Sequence, residues 1–319
     1  MMKRLLFALL FALVSCCALA QAYPSRPLHV IVPFPPGGPT DVLGRVLGQG
    51  LSDALGQPAV VENKAGAAGN IGVDQLAKAA PDGYTLGIVP VGNIAVNPAL
   101  FTNLPYKASD LAPVSMLATV ENVLVVNPAV PAHNLKELLE LAARKPDSVS
   151  FASPGAGSQA HLAGELLGLS SNVRLLHVAY KGIGPAMTDL LGGQVTMMFA
   201  QMSSALPYIK SGKLRAIAVG SEKRIPALPD VGTVAEAGFP GFETSQWYGV
   251  MVKAGTPPEI VKKLNAEINK ALASNAVTQR YATDNAVAHA GSPEDFGKLI
   301  AAEQARWQEV VKKAHITIE

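Results

Sequence analysis

Pro33-Phe34-Pro35-Pro36-Gly37-Gly38-Pro39-Thr40-Asp41 lies between two stretches of different periodicity, and the change from one to the other decides the fold. Before it, Leu28-His29-Val30-Ile31-Val32 is a short apolar run rich in β-branched residues, which is how a strand buried on both faces of a parallel sheet is written. After it, Leu43, Leu47, Leu51 and Leu55 recur every fourth residue with Val42, Val46 and Ala54 beside them, the stripe of an amphipathic helix. The junction is therefore strand, glycine loop, helix N-terminus. Gly38 suits the cap and Pro39 the first helical position, where an N–H would have no partner anyway. Asp41 suits the third, from which a carboxylate reaches back to the cap. The other first-turn amides point out of the helix end. Gly37 and Gly38 let a ligand approach the backbone, and the positive end of the helix dipole favours an anion. The stretch is a candidate carboxylate or phosphate cradle, set against the plainer reading that a Gly-Gly turn into a capped helix serves packing alone.

The N-terminus reads as a secretory signal over residues 1–22. Lys3 and Arg4 form a basic start, Leu5 to Val14 an apolar run too short to span a bilayer, and Ala18-Leu19-Ala20 a cleavage site. Leu13-Val14-Ser15-Cys16 also fits a lipoprotein box, a minority alternative that would leave Cys16 lipidated. The expected location is the periplasm. Both cysteines, Cys16 and Cys17, fall in this segment, so cleavage at Ala20 leaves no disulfide, thiolate or cysteine metal site. About 300 residues remain, which the usual domain size divides into two. A formal net charge of +2 with 16% charged residues recommends neither nucleic acid nor an anionic membrane as partner.

Along the chain, strand and helix signals alternate from Tyr23 to about Val123 and again from Asn122 to Val219, which predicts an α/β chain with two doubly wound, mainly parallel sheets. Residues 224–242 carry Pro226, Pro229, Gly232, Gly238, Pro240 and Gly241 and read as a long connection. Trp247 to Val252 is a strand. Two helices follow, opened by Thr256-Pro257-Pro258-Glu259 and Ser292-Pro293-Glu294-Asp295, each with a hydroxyl at the cap and proline at the first position. The last presents Phe296, Leu299, Ile300, Trp307, Val310 and Val311 on one side. The first sheet still lacks helices, so the C-terminus is expected to return to it. That wiring has two crossings and describes a two-lobed clamshell with a hinge of crossing strands: 23–123 plus 247–319 in one lobe, 124–246 in the other.

Phe151-Ala152-Ser153-Pro154-Gly155-Ala156-Gly157-Ser158-Gln159-Ala160-His161 repeats the opening logic in the second lobe, with Ser158 at the cap and Leu162, Leu166 and Leu169 on the apolar side of the next helix. Gly155, Gly157 and Ala160 also spell the dinucleotide fingerprint, but the acidic residue it needs about 20 positions on is replaced by Tyr180-Lys181. A nucleotide-cofactor oxidoreductase is thus only the runner-up. No G-x-S-x-G, P-loop or H-E-x-x-H occurs, and His29, His133, His161, His177, His289 and His315 are too scattered for metal-ligand spacing. Ser158 and His161 share a turn, where a cap serine beside a helix histidine is the plain explanation. Nothing in sequence brings Asp41 and Asp189 together.

The motifs quoted so far, with Asn63-Lys64-Ala65-Gly66-Ala67-Ala68-Gly69-Asn70-Ile71-Gly72, Pro81-Asp82-Gly83-Tyr84-Thr85-Leu86, His161-Leu162-Ala163-Gly164-Glu165, Tyr180-Lys181-Gly182, Asp189-Leu190-Leu191-Gly192-Gly193-Gln194 and Trp247-Tyr248-Gly249, resemble the substrate-binding receptors of tripartite tricarboxylate transporters, the TctC-like or Bug receptors. The resemblance spans essentially the whole mature chain. It implies a non-enzymatic periplasmic binding protein of Venus-flytrap form that holds a small carboxylate between its lobes and passes it to membrane permease subunits. It further implies that the loops matching 33–41 and 153–158 hold the ligand through backbone amides. The expected ligand-binding residues are Phe34, Gly37, Gly38, Pro39, Thr40, Asp41, Asn93, Ser153, Gly155, Ala156, Gly157, Ser158, His161, Tyr180 and Gln201. Asn93 stands where many relatives carry serine or threonine, and Ala65 where proline is frequent. The expected ligand is an amino acid, an aromatic acid or a di- or tricarboxylate, with no cofactor, no metal and no nucleic acid. The chain is expected to be a monomer, and the alternative role is to present its closed form to a membrane sensor kinase.

Overall fold

The computed structural model describes residues 23–283 and 285–314. The expected signal segment with its expected cleavage site, Cys16 and His315 lie outside the described residues. Among these residues no helix is long and apolar enough to cross a membrane.

Strand β1 (Leu28–Val32) runs parallel to β2 (Ala59–Asn63) on one side and β3 (Thr85–Pro90) on the other, inside a six-stranded sheet. Its apolar run follows from that position, since an interior parallel strand is covered on both faces. Helix α1 (Pro39–Leu55) lays Leu43, Leu47 and Leu51, all fully buried, on this sheet. It packs close because it has no Cβ at Gly44, where one would stand 2.6 Å from Val32 Cγ2. The sheet order is β11-β4-β10-β3-β1-β2, with β4 (Leu111–Val120), β10 (Gln246–Lys253) and β11 (Ala286–Ala288). The second sheet has the order β7-β6-β8-β5-β9, with β5 (Asn122–Val126), β6 (Ser150–Ser153), β7 (Leu176–Ala179), β8 (Met197–Gln201) and β9 (Arg215–Val219).

Both sheets are mixed rather than mainly parallel. Strand β10 is antiparallel to β3 and β4, and β5 is antiparallel to β8 and β9. The reason is the wiring: the strands that carry the chain between sheets enter each one against the direction of its βαβ units. Taking each sheet with its helices as a lobe sets the crossings at Glu121, between β4 and β5, and at Ser245, before β10. Asn122 ties the two together. Its carbonyl accepts from Gly220 N at 2.8 Å, while its Nδ2 donates to Thr244 O.

Around these sheets stand α2 (Asn70–Ala77), the four-residue α3 (Asn97–Leu100), α4 (Leu135–Arg144), α5 (Gln159–Ser171), α6 (Ile183–Leu191), α7 (Met202–Lys210), α8 (Pro258–Leu272), α9 (Asn275–Thr283) and α10 (Pro293–Ala314). The C-terminal helices do return to the first sheet. Leu264, Ile268 and Leu272 of α8 pack in one core with Leu43 and Leu47, and Phe296, Ile300, Trp307 and Val311 of α10 in another with Ile94, Trp247 and Met251. Ser292 caps as its sequence foretold, accepting from Asp295 N at 3.0 Å. Thr256 does not cap: its hydroxyl donates to Lys253 O, and α8 begins only at Pro258.

Candidate functional site

The N-terminus of α1 is built by its own loop. Gly38 is the cap in extended backbone (φ −81, ψ 167), and the left-handed conformation falls instead on Gly37 (φ 82). Asp41 reaches back past the cap. Its Oδ2 accepts from Gly37 N at 2.9 Å and from Arg45 Nε at 3.0 Å, and its Oδ1 from Asn63 Nδ2 at 2.9 Å. Burial raises this carboxyl's pKa, but the bonds from Arg45, Gly37 and Asn63 outweigh it and hold the group below the ordinary carboxylate range. Asp41 therefore fixes the loop from behind and is not on the cavity wall. The amides of Gly38 and Thr40 are left without a partner among the described residues.

The second cradle works through histidine. Ser158 caps α5, accepting from His161 N at 3.4 Å, and His161 Nδ1 accepts from Gly157 N at 3.1 Å. Behind His161, His177 stacks at 3.9 Å between ring centroids, and its Nε2 lies 2.6 Å from Ser153 Oγ. Burial, followed by the neighbouring His161, pushes His177 down to about 3, so the imidazole is neutral in the fold. The sequence expectation placed Ser153, Gly155, Ala156 and His161 against the ligand. None of the four lines the cavity: Ser153 Oγ donates to Gly155 O at 3.0 Å and His161 Nδ1 accepts from Gly157 N, so their polar groups hold the loop. The amides of Gln159 and Ala160 have no partner among the described residues.

A third helix end was missed. Helix α6 starts at Ile183 behind Gly182 (φ 122). Gly182-Ile183-Gly184-Pro185 carries the same signal as Gly37-Gly38-Pro39, glycine leading into a first-turn proline, and that likeness was the available clue. The amides of Ile183 and Gly184 are again unpaired among the described residues.

The three ends meet at one cavity of about 270 Å³ between the sheets. Phe34 to Thr40, Ala68, Gly92 and Asn93 line it from the first lobe, and Gly157 to Ala160, Lys181 to Pro185, Met198, Phe199 and Gln201 from the second. Asn122, Gln246 and Tyr248 of the crossing strands form its floor, where Gln201 Nε2 donates to the Tyr248 hydroxyl at 2.6 Å. Of the expected residues, Phe34, Gly37, Gly38, Pro39, Thr40, Asn93, Gly157, Ser158 and Gln201 are on this wall. Tyr180 is not. Its hydroxyl donates to Asp189 Oδ2 at 2.7 Å, and burial together with that carboxylate pushes the phenol up to about 12. Asn93 sits in a buried turn of π-helix (Gly92–Val96) rather than at a bare strand end, held by Asn93 Nδ2 donating to Ala68 O and Asn70 Oδ1. Those bonds bring Ala68 onto the wall.

The lobes touch across a seam of glycines. A Cβ on Gly92 would stand 3.0 Å from Gly157 O, one on Gly182 3.4 Å from Pro35 Cγ, and one on Gly157 2.4 Å from Asn97 Oδ1. Chemically, the cavity offers six neutral N–H donors from three helix ends, Lys181 at its edge, and an apolar middle of Phe34, Ile183, Met198 and Phe199. Such an arrangement holds an anion of modest size.

Comparison with known proteins gives the family. Residues 43–316 match the tripartite tricarboxylate transporter family receptor. The protein BugT of Bordetella pertussis is 45% identical over 296 residues, covering 92% of this chain and 91% of BugT. Two solved structures of Rhodopseudomonas palustris share the fold. Rpa4515 with adipate is 35% identical with a TM-score of 0.88, covering 92% of this chain and 99% of that one. MatC with bound malate is 34% identical with a TM-score of 0.85, covering 91% and 100%.

Proposed function

The chain belongs to the receptor family of tripartite tricarboxylate transporters, and from that premise we propose that it binds a small carboxylate between its lobes in the periplasm and delivers it to the membrane permease. It does so as a receptor, without chemistry on the ligand. The observation that carries this reading is the convergence of three helix N-termini, with the unpaired amides of Gly38, Thr40, Gln159, Ala160, Ile183 and Gly184, on one cavity. A charge-assisted hydrogen bond contributes roughly 1.5 to 3 kcal/mol. A few of them, made by donors already fixed in helix ends, supply the roughly 8 kcal/mol of micromolar binding after the costs of closure. No arginine is needed. The cavity of about 270 Å³ is on the scale of a small organic acid. The adipate and malate found in the two relatives are acids of that scale.

Delivery needs two surfaces that differ between the empty and the loaded protein. The glycine seam supplies the difference, since Gly157 meets Asn97 and Gly182 meets Pro35 only when the lobes are together. Isothermal titration of refolded, ligand-free protein against mono-, di- and tricarboxylates of graded length tests the binding step. Micromolar binding of at least one acid is expected, and no binding by any would overturn the reading. Uptake of that acid by cells lacking the chain tests delivery.

A further inference from the structure

Resting on the reading of a receptor that closes on its ligand, we propose that the side-chain amide of Asn97 is the latch of the closed form. It donates across the seam to Gly157 O and so ties closure of the lobes to the second cradle.

Asn97 belongs to the first lobe, at the first position of α3, and is only 1% exposed. Its side chain reaches the seam, where a Cβ on Gly157 would stand 2.4 Å from it. Gly157 is held within its own lobe by its N–H, which donates to His161 Nδ1 at 3.1 Å. Its carbonyl accepts from no second-lobe group among the described residues. The peptide of Gly157 comes immediately before Ser158 and the unpaired first-turn amides of Gln159 and Ala160. A bond to its oxygen therefore steadies the chain next to the cradle's donors.

The amide of Asn97 has two settings, because a carboxamide exchanges its N and O by turning over. In the first, Nδ2 donates to Asn70 Oδ1 at 2.7 Å, and Oδ1 faces the carbonyl oxygens of Gly157 and Gly92 with no proton between them. Asn70 Oδ1 then has more donors than lone pairs, since Asn93 Nδ2 stands at 2.9 Å and the Tyr106 hydroxyl at 2.8 Å. Tyr106 has one hydrogen, and Asn93 O claims it too at 2.7 Å. In the second setting, Nδ2 donates to Gly157 O at 3.1 Å and to Gly92 O at 3.2 Å, and Oδ1 faces the Asn70 side chain at 2.7 Å. Asn70 turns over as well and gives its N–H groups to Asn97 Oδ1 and to Tyr106, while Tyr106 keeps Asn93 O and Asn93 keeps Ala68 O. Gly157 O arrives only with the second lobe, so the second setting gains on closure a bond that the first cannot make. Opening leaves Asn97 its partners inside the first lobe and strands no buried group.

Asn97→Leu tests this, since it keeps the branched shape, adds no charge and cannot donate. Calorimetry with straight-chain diacids from succinate to adipate reads binding. The distance between spin labels on Val60→Cys and Leu176→Cys reads closure. Both positions are exposed, on β2 and β7, the edge strands farthest from the crossing strands of their sheets. For the diacid that binds the native chain most tightly, Kd is expected to rise on the order of 10-fold in Asn97→Leu. At saturating diacid, part of that variant's population is expected to keep the ligand-free distance. A loss of first-lobe stability alone would lower the melting curve without moving that distance. Native Kd and native closed distance in Asn97→Leu overturn the latch and leave the carboxylate reading intact. In the native chain, a nuclear Overhauser contact between the Asn97 side-chain N–H₂ and Gly157 Hα is expected with the diacid bound and not without it. That measurement decides the matter should Asn97→Leu fail to fold, and no contact in the bound form overturns the latch. If no acid of this or the wider carboxylate series binds the native chain, both readings fall.

Discussion

Gly157→Ala is the substitution on which the seam is most exposed to test. The new Cβ would stand 2.4 Å from Asn97 Oδ1 and 2.9 Å from Phe101 Cε2, in a backbone conformation of φ 79. Two effects of different reach follow. The left-handed backbone charges an alanine about 1 kcal/mol wherever the second lobe is folded, whether the lobes are apart or together. For a chain of this length that lowers the melting temperature by about 2 °C. The overlap with Asn97 and Phe101 acts only when the lobes meet, because those residues belong to the first lobe. Forcing a methyl into a packed contact costs about 1 to 3 kcal/mol. Closure is part of binding, so Kd should rise roughly 5- to 150-fold. Titration calorimetry and thermal melting of the same preparation separate the two terms. Gly182→Ala is the control, being also left-handed (φ 122) but with 3.4 Å of room to Pro35. It should melt lower with a much smaller loss of affinity. A Gly157→Ala protein that melts about 2 °C lower and binds as well as the native chain would refute the claim that this seam is the ligand-bound contact.

Three further outcomes are expected. Asp41→Asn replaces an acceptor with a donor opposite Asn63 Nδ2 and weakens the bonds to Gly37 and Arg45, so it should cost about 1 to 3 kcal/mol of stability in chemical denaturation and weaken ligand binding by loosening the loop, where a mere capping role would tolerate it. His177 is neutral in the fold with its pKa depressed from 6.5 to about 3, so its contribution to stability is fully present above pH 6.5 and is lost as pH falls from 6.5 toward 3; His177→Gln should flatten the melting-temperature profile across that window, and an unchanged profile would contradict it. Tyr248→Phe removes the acceptor of Gln201 Nε2, leaving a buried amide unpaired, and should cost about 1 kcal/mol by denaturant titration while leaving the core volume intact.

The architecture was legible because it is written in periodicity. Leu43, Leu47 and Leu51 announce a helix whatever surrounds them, and the apolar run Leu28 to Val32 announces an interior strand. Strand direction was not legible in the same way. The runs of β5 and β10 read as buried strands, but a buried strand has the same composition whether its neighbours run with it or against it, and the chain crossings decide which. Caps were legible in kind and uncertain by a residue or two. Ser292 caps and Thr256 does not, although both precede proline and glutamate, because a hydroxyl also finds a turn carbonyl within reach.

The site was legible where backbone makes it and much less so where side chains do. A glycine loop running into a helix end advertises its amides in sequence, which is why the sequence singles out Gly37 to Thr40 and Gly157 to Ser158, all on the cavity wall, and why Gly182 to Pro185 carries the same signal. The side chains of the rest of the wall come from distant elements, Gln159 from α5, Gln201 from β8 and Tyr248 from β10, and no spacing links them. Tyr180 and His161 show the converse, since neither lines the cavity. Each belongs to a motif of the resemblance, yet each turns its polar group onto a protein partner, Asp189 for one and the Gly157 amide for the other. A motif of this kind records what holds the cradle in shape. The cradle's own donors are peptide amides that any residue except proline supplies, so the residue types beside them do not reveal what they meet. A cradle of this kind is therefore legible in its glycines and caps, while the wall that faces it is assembled by the fold.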